Sequence, residues 1–530
     1  MHLTDVAALA GSLGAVPKSG AYDLDDLTRT LLIGSAVLLV AVAAVRLANK
    51  SGLPTLLLYL AMGVVLGEAG FGLEFSDPLM TEVLGYSALV LILAEGGLTT
   101  QWSAIRRSVV PAMLLSTVGV LISVAVVGVA VHYLLHFDWT TAFLLGAIVS
   151  STDAAAVFSV LRKVPLPHRV TGVLEAESGF NDAPVVLLVS ALASAAAPGR
   201  PDPNWLSVGF HAAFELAVGA AIGLALGYVL GTLMKRAAPG SSGLFSIGVL
   251  AACVLAFAVA DAVHTSGFIA VYLCALVLGN LGLPHRQAVR GFAQSFGWLA
   301  QIGLFVLLGL LAAPSRLQDQ LFPALVVGLV LLLVARPLSV FGSMPGFGIT
   351  TPEKLFLSWA GLRGAVPVVL ATVPLTLGSQ GLEWIFDLVF VLVVVFTLVQ
   401  APTLPWVARR LGIVDESHVV DVELESMPLD ELNAEMLQVR IGPHSLLHGV
   451  EVHELRLPKG ANVTLVKRDD ESFVPTRRSV LHRGDQLLIV TPSAARSCVV
   501  RRVRAISDHG RLAGWRRSGV RDAATDVRPG

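Results

Sequence analysis

The stretch SSTDAAAVFSVLRKVPLPHRVTGVLEAESGFNDAPVVLLV, residues 150–189, places four carboxylates in two segments that otherwise resemble membrane helices. A short basic loop joins the segments. The first carries Asp153, and the second carries Glu175, Glu177 and Asp182. A carboxylate near the bilayer centre costs about 2.5–3.5 kcal/mol on insertion scales, so idle acids at this depth are disfavoured. These acids therefore indicate an ion or proton path, or else buried partners of Arg or Ser in a packed bundle.

The composition excludes an ordinary soluble protein. The 530 residues are 55% hydrophobic and 14% charged, and their mean hydropathy is +0.74. Residues 1–410 hold 20 of the 37 Lys and Arg, and the last 120 residues hold the other 17. This shift indicates a polytopic membrane part followed by a water-soluble domain. The net charge of −1 averages the two parts and implies no nucleic-acid-binding surface.

Apolar windows of about 20 residues predict thirteen membrane spans. Cytoplasmic loops carry an excess of Lys and Arg, and alternate connections fit this rule if the N-terminus is external. The predicted protein is thus a multi-pass protein of the plasma or inner membrane, in contact with membrane lipid, with a cytoplasmic C-terminal domain. The span centres are residues 37, 60, 92, 120, 150, 184, 219, 252, 273, 303, 331, 364 and 395.

Two spans contain helix-breaking sequence, at Ser150–Asp153 and at GLRGAVP, Gly361–Pro367. Irregular backbone at membrane depth is tolerated where it is buried in protein or lines a cavity, as in the ion sites of secondary transporters. Spans two to seven and eight to thirteen form blocks of opposite orientation. The predicted fold is therefore an all-α polytopic membrane protein with an inverted repeat and two interrupted helices.

The chain after Arg410 reads as a small α+β module. Strands are predicted at Val463–Val466 and Gln486–Val490, and a short helix at His448–Leu455. Residues 437–506 form this module, and residues 411–436 form an acidic linker with a lead-in strand. Residues 507–530 are predicted to be a disordered basic tail. The other predicted parts are an external tail, residues 1–26, and the membrane domain, residues 27–410.

Asp182 and Ser178 are four residues apart, so on a helix both side chains face the same way, with Asn181 at the edge of that face. Thr152 and Asp153 from the interrupted span can add ligands, including backbone carbonyls. A carboxylate that binds either a proton or a monovalent cation makes the two ligands compete for one site, and this competition suffices for antiport.

Arg363 is the lone basic residue inside a predicted span, and Glu177 is its predicted partner by depth. We assign this pair a structural role, with direct gating by Arg363 as the alternative. Glu95, in the third span, has two interpretations. Its carboxylate lines the cytoplasmic funnel or polarises a water at the site, or it is a helix-packing partner.

Four segments resemble the signatures of the NhaP-type antiporters of the monovalent cation:proton antiporter-1 family. The resemblance covers roughly residues 27–410. Residues from GPHSLLHGV onward resemble the TrkA-C (RCK C-terminal) domain found on the CvrA-like potassium/proton antiporter branch. The four membrane segments are AEGGL at Ala94–Leu98, STDAAAVF at Ser151–Phe158, ESGFND at Glu177–Asp182 and GLRGAVP at Gly361–Pro367.

The resemblance implies a thirteen-helix, NhaA-like homodimer that exchanges K⁺, or less favourably Na⁺, for protons in cytoplasmic cation and pH homeostasis. It implies a monovalent cation at Asp182 and Asp153, electroneutral exchange from the Asn181–Asp182 pair, and a nucleotide-type regulator of the TrkA-C domain. It implies no enzymatic activity and no cofactor. The chain departs from common family residues at Ala154, where Pro is frequent, and at Asp470, where Gly is common.

The alternative from another class is a regulated cation channel or another ion-transport protein controlled by a TrkA-C domain. No TVGYG-type filter sequence is present, and carboxylates buried in helices suit alternating access better than rapid conduction. An intramembrane enzyme would require a nucleophile and base or a metal motif such as HExxH, which the sequence lacks.

Overall fold

The structure is a computed structural model, and the chain divides into two compact units, Met1–Asp415 and Glu416–Gly530. Each unit is described by itself. Residues 1–23 of the predicted external tail and residues 512–530 of the predicted basic tail lie outside the described residues, and the last three residues of the predicted external tail begin the first helix. The described residues are 24–511, without 52–53, 69, 74–76, 162–163, 165, 197–204, 237–240, 377–381, 415–421, 430–433, 443–444, 470 and 493–494.

All the regular elements among the described residues of the first unit are helices. Single helical turns lie at Trp102–Ile105, Pro314–Leu317 and Val373–Thr376. The longer helices are α1 (Leu24–Ser51), α2 (Thr55–Leu66), α3 (Pro78–Thr99), α4 (Val109–Leu135), α5 (Trp139–Ile148), α6 (Ala154–Leu161), α7 (His168–Ala196), α8 (Trp205–Arg236), α9 (Ser242–Ala262), α10 (Gly267–Asn280), α11 (Arg286–Leu311), α12 (Leu321–Ser343), α13 (Thr351–Trp359), α14 (Ala365–Leu370) and α15 (Glu383–Arg410).

The predicted spans are confirmed. Each of the thirteen predicted centres falls in one helix or in one pair of half-helices. Within the described residues, eight helices are long and apolar enough to cross a membrane, and five further apolar helices are shorter. The two interrupted spans are the pairs α5/α6 and α13/α14, broken at residues 149–153 and 360–364.

The helices pack in two groups. In one, α10 packs against α3, α8 and α9, and α11 packs against α2 and α3. In the other, α4 packs against α5, α7 and α12, while α15 packs against α6 and α12. Close approach in the first group depends on glycine, because a Cβ at Gly309 would lie 2.8 Å from the Cα of Gly63. Small residues permit such contacts between membrane helices.

The positions of the irregular helices correct the predicted repeat. If spans one to six (α1–α7) are paired with spans eight to thirteen (α9–α15), each interrupted span is the fifth span of its block. No other pairing of six-span blocks gives this match. The fourth members, α4 and α12, then both contain a five-residue π-helical segment, at Leu115–Gly119 and Leu331–Ala335. The blocks are therefore shifted by one span from the prediction, and α8 connects them.

The second unit is an α+β domain with a five-stranded antiparallel sheet in the order β1-β2-β5-β3-β4. Alternate residues of β2 and β5, together with Val463 and Val466 of β3, form a separate core with apolar residues of α16. The elements are β1 (Val422–Leu429), β2 (Ala434–Ile441), a 3₁₀ turn (Val452–Leu455), β3 (Asn462–Arg468), β4 (Glu471–Phe473), β5 (Gln486–Pro492) and α16 (Arg496–His509).

Both strands predicted for this domain are present, and two details differ from the predictions. The lead-in strand predicted within residues 411–436 is present as β1, which pairs with β2 over eight residues and is an edge strand of the sheet. The predicted short helix is reduced to the 3₁₀ turn. The predicted tail begins inside α16, where Ser507 is buried and its hydroxyl lies 2.7 Å from the Ser445 hydroxyl.

Candidate functional site

The two interrupted helices cross at their breaks. The Asp153 backbone N–H donates to the Leu362 carbonyl at 2.8 Å. The Arg363 Nε–H donates to the Val149 carbonyl at 3.0 Å, and its Nη1 group donates to the Gly361 carbonyl. The Asp153 N–H and the carbonyls of Leu362 and Val149 are thus satisfied by the opposite chain segment, and the Gly361 carbonyl by Arg363 of its own segment, as the low-dielectric surroundings require.

Four helix ends meet at this crossing, and two side chains carry the compensating charges. The carbonyls that accept from Arg363 follow the C-terminal ends of α5 and α13. The Asp153 carboxylate accepts from the Ala156 N–H at 3.3 Å, at the start of α6, and packs against Gly364, just before α14. An Arg at helix C-termini and an Asp at N-termini oppose the partial charges of the helix ends.

Asp182 lies on the continuous helix α7, and its side chain is directed to the break in the α5/α6 pair. The Ser151 hydroxyl donates to Asp182 Oδ1 at 2.8 Å. Asp182 is 7% exposed, and Ser178, one turn earlier, lines the same cavity. The predicted same-face arrangement of these two residues is present.

Thr152 and Asn181 form a second connection between the break and α7. The Asn181 amide donates to the Thr152 hydroxyl at 2.7 Å and to the Thr152 carbonyl at 3.3 Å. The Thr152 hydroxyl in turn donates to Glu177 Oε1 at 3.1 Å. Asn181 is fully buried, so this network fixes the orientation of the Thr152 backbone beside Asp182.

The predicted partner of Glu177 is wrong. Arg336, on α12, binds the Glu177 carboxylate in a bidentate ion pair, with N–O distances of 2.6 and 2.8 Å. Arg363 instead uses its guanidinium for backbone carbonyls at the helix ends. Glu177 and Arg336 are 2% and 4% exposed, so each charge needs its partner. Because Arg336 lies inside α12, the prediction that Arg363 is the lone basic residue within a span is also wrong.

A cavity of about 460 Å³ lies beside the crossing. Four carboxylates line it, and none of the described residues of its wall is Lys, Arg or His. A recess lined by one sign of charge in a low-dielectric body concentrates ions of the opposite sign. The carboxylates belong to Glu95, Asp153, Glu175 and Asp182.

The structure brings most of the predicted ligands together. Asp182, Asp153, Thr152, Ser178 and Glu95 all line the cavity. Asn181, Glu177 and Arg363 are buried at or behind the crossing and are absent from the described cavity wall.

Sequence reasoning missed the roles of Ser151 and Arg336. Ser151 is adjacent to the predicted ligands in the broken segment, so its hydroxyl could have been included. The apolar run on both sides of Arg336 was a signal that this charge is buried.

Two protein families match the chain. The sodium/hydrogen exchanger transmembrane family matches residues 36–410, and the TrkA-C domain family matches residues 436–497. The first match includes every residue of the crossing.

Curated relatives match nearly the whole chain. The K(+)/H(+) antiporter NhaP of Alkalimonas amylolytica is 34% identical over 479 residues, 89% of this chain and 82% of the relative. The K(+)/H(+) antiporter NhaP2 of Shewanella sp. strain MR-4 is 34% identical over 484 residues, 88% of this chain and 82% of the relative. The Na(+)/H(+) antiporter ApNhaP of Aphanothece halophytica is 25% identical over 66% of this chain and 69% of its own.

A solved structure has the same fold. The sodium proton antiporter MjNhaP1 of Methanocaldococcus jannaschii superposes with a TM-score of 0.61 at 23% identity, covering 71% of this chain and 99% of that protein.

Proposed function

This chain belongs to the sodium/hydrogen exchanger family, and we propose that Asp182 is the carboxylate at which its two substrates compete. The protein exchanges a monovalent cation for protons across a membrane. Family membership supports this activity and not the regulated channel considered from the sequence. The observation that carries the site assignment is the Asp182 carboxylate on the cavity wall, held by Ser151 beside the broken helices.

The mechanism follows from the ligands around Asp182. An alkali cation that loses water needs several hard oxygen atoms. The carboxylate of Asp182, the hydroxyl of Ser178 and groups of Thr152 and Asp153 provide them from two helices. When a proton binds Asp182, the charge that attracts the cation is removed, so one ligand displaces the other. Alternating exposure of the cavity to the two sides then couples their fluxes.

The proposed cation is K⁺ in preference to Na⁺, and the exchange is electroneutral. K⁺ is supported by the names of the relatives that match 88–89% of the chain. Electroneutrality is supported by the charges at the crossing, because Arg336 neutralises Glu177 behind the cavity wall and the Asp153 carboxylate lies at two helix N-termini. At the crossing, Asp182 is then the carboxylate that exchanges one cation for one proton.

The proposed assembly is a homodimer in the cell membrane, with the N-terminus outside and the TrkA-C domain in the cytoplasm. The orientation is supported by the basic connections Arg106–Arg107 and Lys235–Arg236, which lie on the same side as the chain after Arg410 under the thirteen-span topology. The TrkA-C domain is proposed to bind a nucleotide-type regulator. Its family match, residues 436–497, supports this role.

Asp182→Asn tests the site assignment, because the change removes the titratable group and keeps the volume. Purified full-length protein in proteoliposomes is given K⁺, Na⁺ or Rb⁺ against an imposed pH gradient. We expect saturable proton-coupled flux in the wild type, greater for K⁺ than for Na⁺. We expect a loss of at least about 100-fold in Asp182→Asn, as for removal of a group that acts directly.

Asp261→Asn is the matched control, because Asp261 is an exposed Asp at the end of α9 and lies outside the cavity wall. It should exchange at the wild-type rate. Near-normal exchange in Asp182→Asn would refute the site. Single-channel current without saturable proton coupling would refute the function itself.

A further inference from the structure

One end of the cavity contains polar groups that the exchange mechanism does not use. Glu175 precedes Asp182 by seven residues on α7, and both carboxylates line the cavity. Seven residues are two helical turns, so the two side chains share a face and are about 10 Å apart along the axis. The Thr100 hydroxyl, just after α3, donates to Glu175 Oε1 at 2.6 Å.

Tyr272 supplies an independent indication of a ligand. Its side chain on α10 is 2% exposed, lines the cavity, and interacts electrostatically with Glu175. Its hydroxyl makes no hydrogen bond of normal geometry to a described residue, and the Thr100 hydroxyl is close enough to interact with it. An edge contact with Phe180, at 5.4 Å between ring centroids, fixes the ring. Because a buried polar group without a partner costs free energy, this hydroxyl is poised for a group that enters the cavity.

The charge at this end of the cavity selects a cation as that group. Glu95 also lines the cavity and packs against Gly297, where a Cβ would lie 2.8 Å from the Glu95 Cγ. With Glu175 it gives two carboxylates, and no described residue of the wall is basic. An anion would be repelled here, whereas an alkali cation would find carboxylate, hydroxyl and phenol oxygens.

We propose that Glu175, Thr100 and Tyr272 form a second alkali-cation site, here termed the threshold site, which the cation occupies before it reaches Asp182. This inference rests on the proposed function and adds a step to it. The threshold site replaces part of the hydration shell at the cytoplasmic end of the cavity, so the cation arrives at Asp182 partly dehydrated. Its effect is therefore on cation capture and not on the proton competition.

The test measures how exchange depends on cation concentration at the cytoplasmic face. Everted membrane vesicles expose that face, and K⁺-dependent collapse of a pH gradient gives initial rates. For Glu175→Gln we expect the KM for K⁺ to rise about tenfold, as for loss of one charged ligand, while the maximal rate stays within about twofold. Tyr272→Phe, which removes only the hydroxyl, should raise the KM in the same direction by a smaller factor.

Glu68→Gln is the matched control, because Glu68 is exposed and outside the cavity wall. The pH profile at saturating K⁺ separates capture from proton transfer, and Glu175→Gln should leave it unchanged. An unaltered KM in both variants overturns the threshold site. A fall in maximal rate without a change in KM also overturns it, because that result indicates a structural role. A shifted pH profile without a change in KM overturns it as well, because that result indicates a proton relay. Asp182-dependent exchange in the same vesicles would leave the proposed function intact.

Discussion

At the scale of single residues, the buried ion pair decides how the crossing is supported. The Arg336 guanidinium binds both oxygens of Glu177, and the Ser116 hydroxyl donates to the Glu177 carbonyl at 3.1 Å. α12 is therefore tied to α7 beside the residues that hold Asp182. A bidentate geometry supplies direction as well as charge, and a Lys at position 336 would not reproduce it.

Arg336→Ala should destabilise the protein more than an exposed substitution does. Loss of one partner from a buried pair leaves an uncompensated charge, at an expected cost of about 3–5 kcal/mol. The readout is the thermal unfolding midpoint of the purified protein in detergent. Arg286→Ala is the control, because Arg286 is exposed at the start of α11. The double variant with Glu177→Ala should recover part of the loss.

A second double-mutant cycle, with Arg363→Ala and Glu177→Ala, identifies the partner of Glu177. Arg363 and Glu177 share no hydrogen bond within the described residues. The decreases in thermal unfolding midpoint caused by Arg363→Ala and Glu177→Ala should therefore be closer to additive than those caused by Arg336→Ala and Glu177→Ala. A larger coupling for the Arg363 pair would contradict the structure.

The need for a buried Arg partner was predictable from sequence, because Glu177 lies in an apolar helix. The identity of that partner was not. Hydropathy windows do not show in which direction a side chain points. Arg336 lies directly after the π-helical segment of α12, and this segment alters the direction of the side chains that follow it.

At the scale of elements, the crossing depends on close backbone approach at one glycine. A Cβ at Gly364 would lie 2.7 Å from both the Cβ and the Cγ of Asp153. The two breaks can therefore keep this contact only if position 364 has no side chain. The polar residues Ser150–Asp153 of the first break and the glycines of the second predicted that both breaks exist, and the apolar lengths predicted the thirteen spans.

Gly364→Ala should impair exchange by displacing the Asp153 carboxylate from the start of α6. Overpacking of this kind costs about 1–3 kcal/mol, so the protein should still fold, with exchange reduced about tenfold or more. Proteoliposome flux and the thermal midpoint are measured together. Gly303→Ala is the control, because no heavy atom lies within 4 Å of a Cβ built there. Equal behaviour of the two variants would show that the contact is dispensable.

The repeat could not be assigned from hydropathy alone. Every span has a similar apolar window, and the grouping depends on which span stands outside both blocks. The two π-helical segments and the two breaks identify α8 as that span. These features arise from local hydrogen-bond geometry, for which the apolar sequences of α4 and α12 give no clear signal.

At the scale of the whole molecule, the chain combines an exchanger with a separate soluble unit. All the proposed cation ligands belong to the unit Met1–Asp415. The second unit has its own sheet and its own buried core. Of its five strands, β3 and β5 were predicted in place from the sequence. The helix α16 was not predicted, although Val499, Val503 and Ile506 recur at helical spacing and are buried.

Truncation after Val414 should therefore leave a protein that still exchanges cations for protons. The cavity and the crossing remain complete, so the maximal rate should stay within about threefold of the full-length protein, as expected for sites that do not share partners. What should change is regulation. A regulatory domain acts only through a difference in affinity between two conformations of the transporter, so its removal should shift the dependence on cytoplasmic pH or on a bound nucleotide. Full-length and truncated proteins are compared in proteoliposomes across internal pH, with and without adenine nucleotides inside. Identical profiles in every condition would assign the soluble unit to assembly or stability, and loss of all exchange in a well-folded truncated protein would show that the ligands of Asp182 are not sufficient.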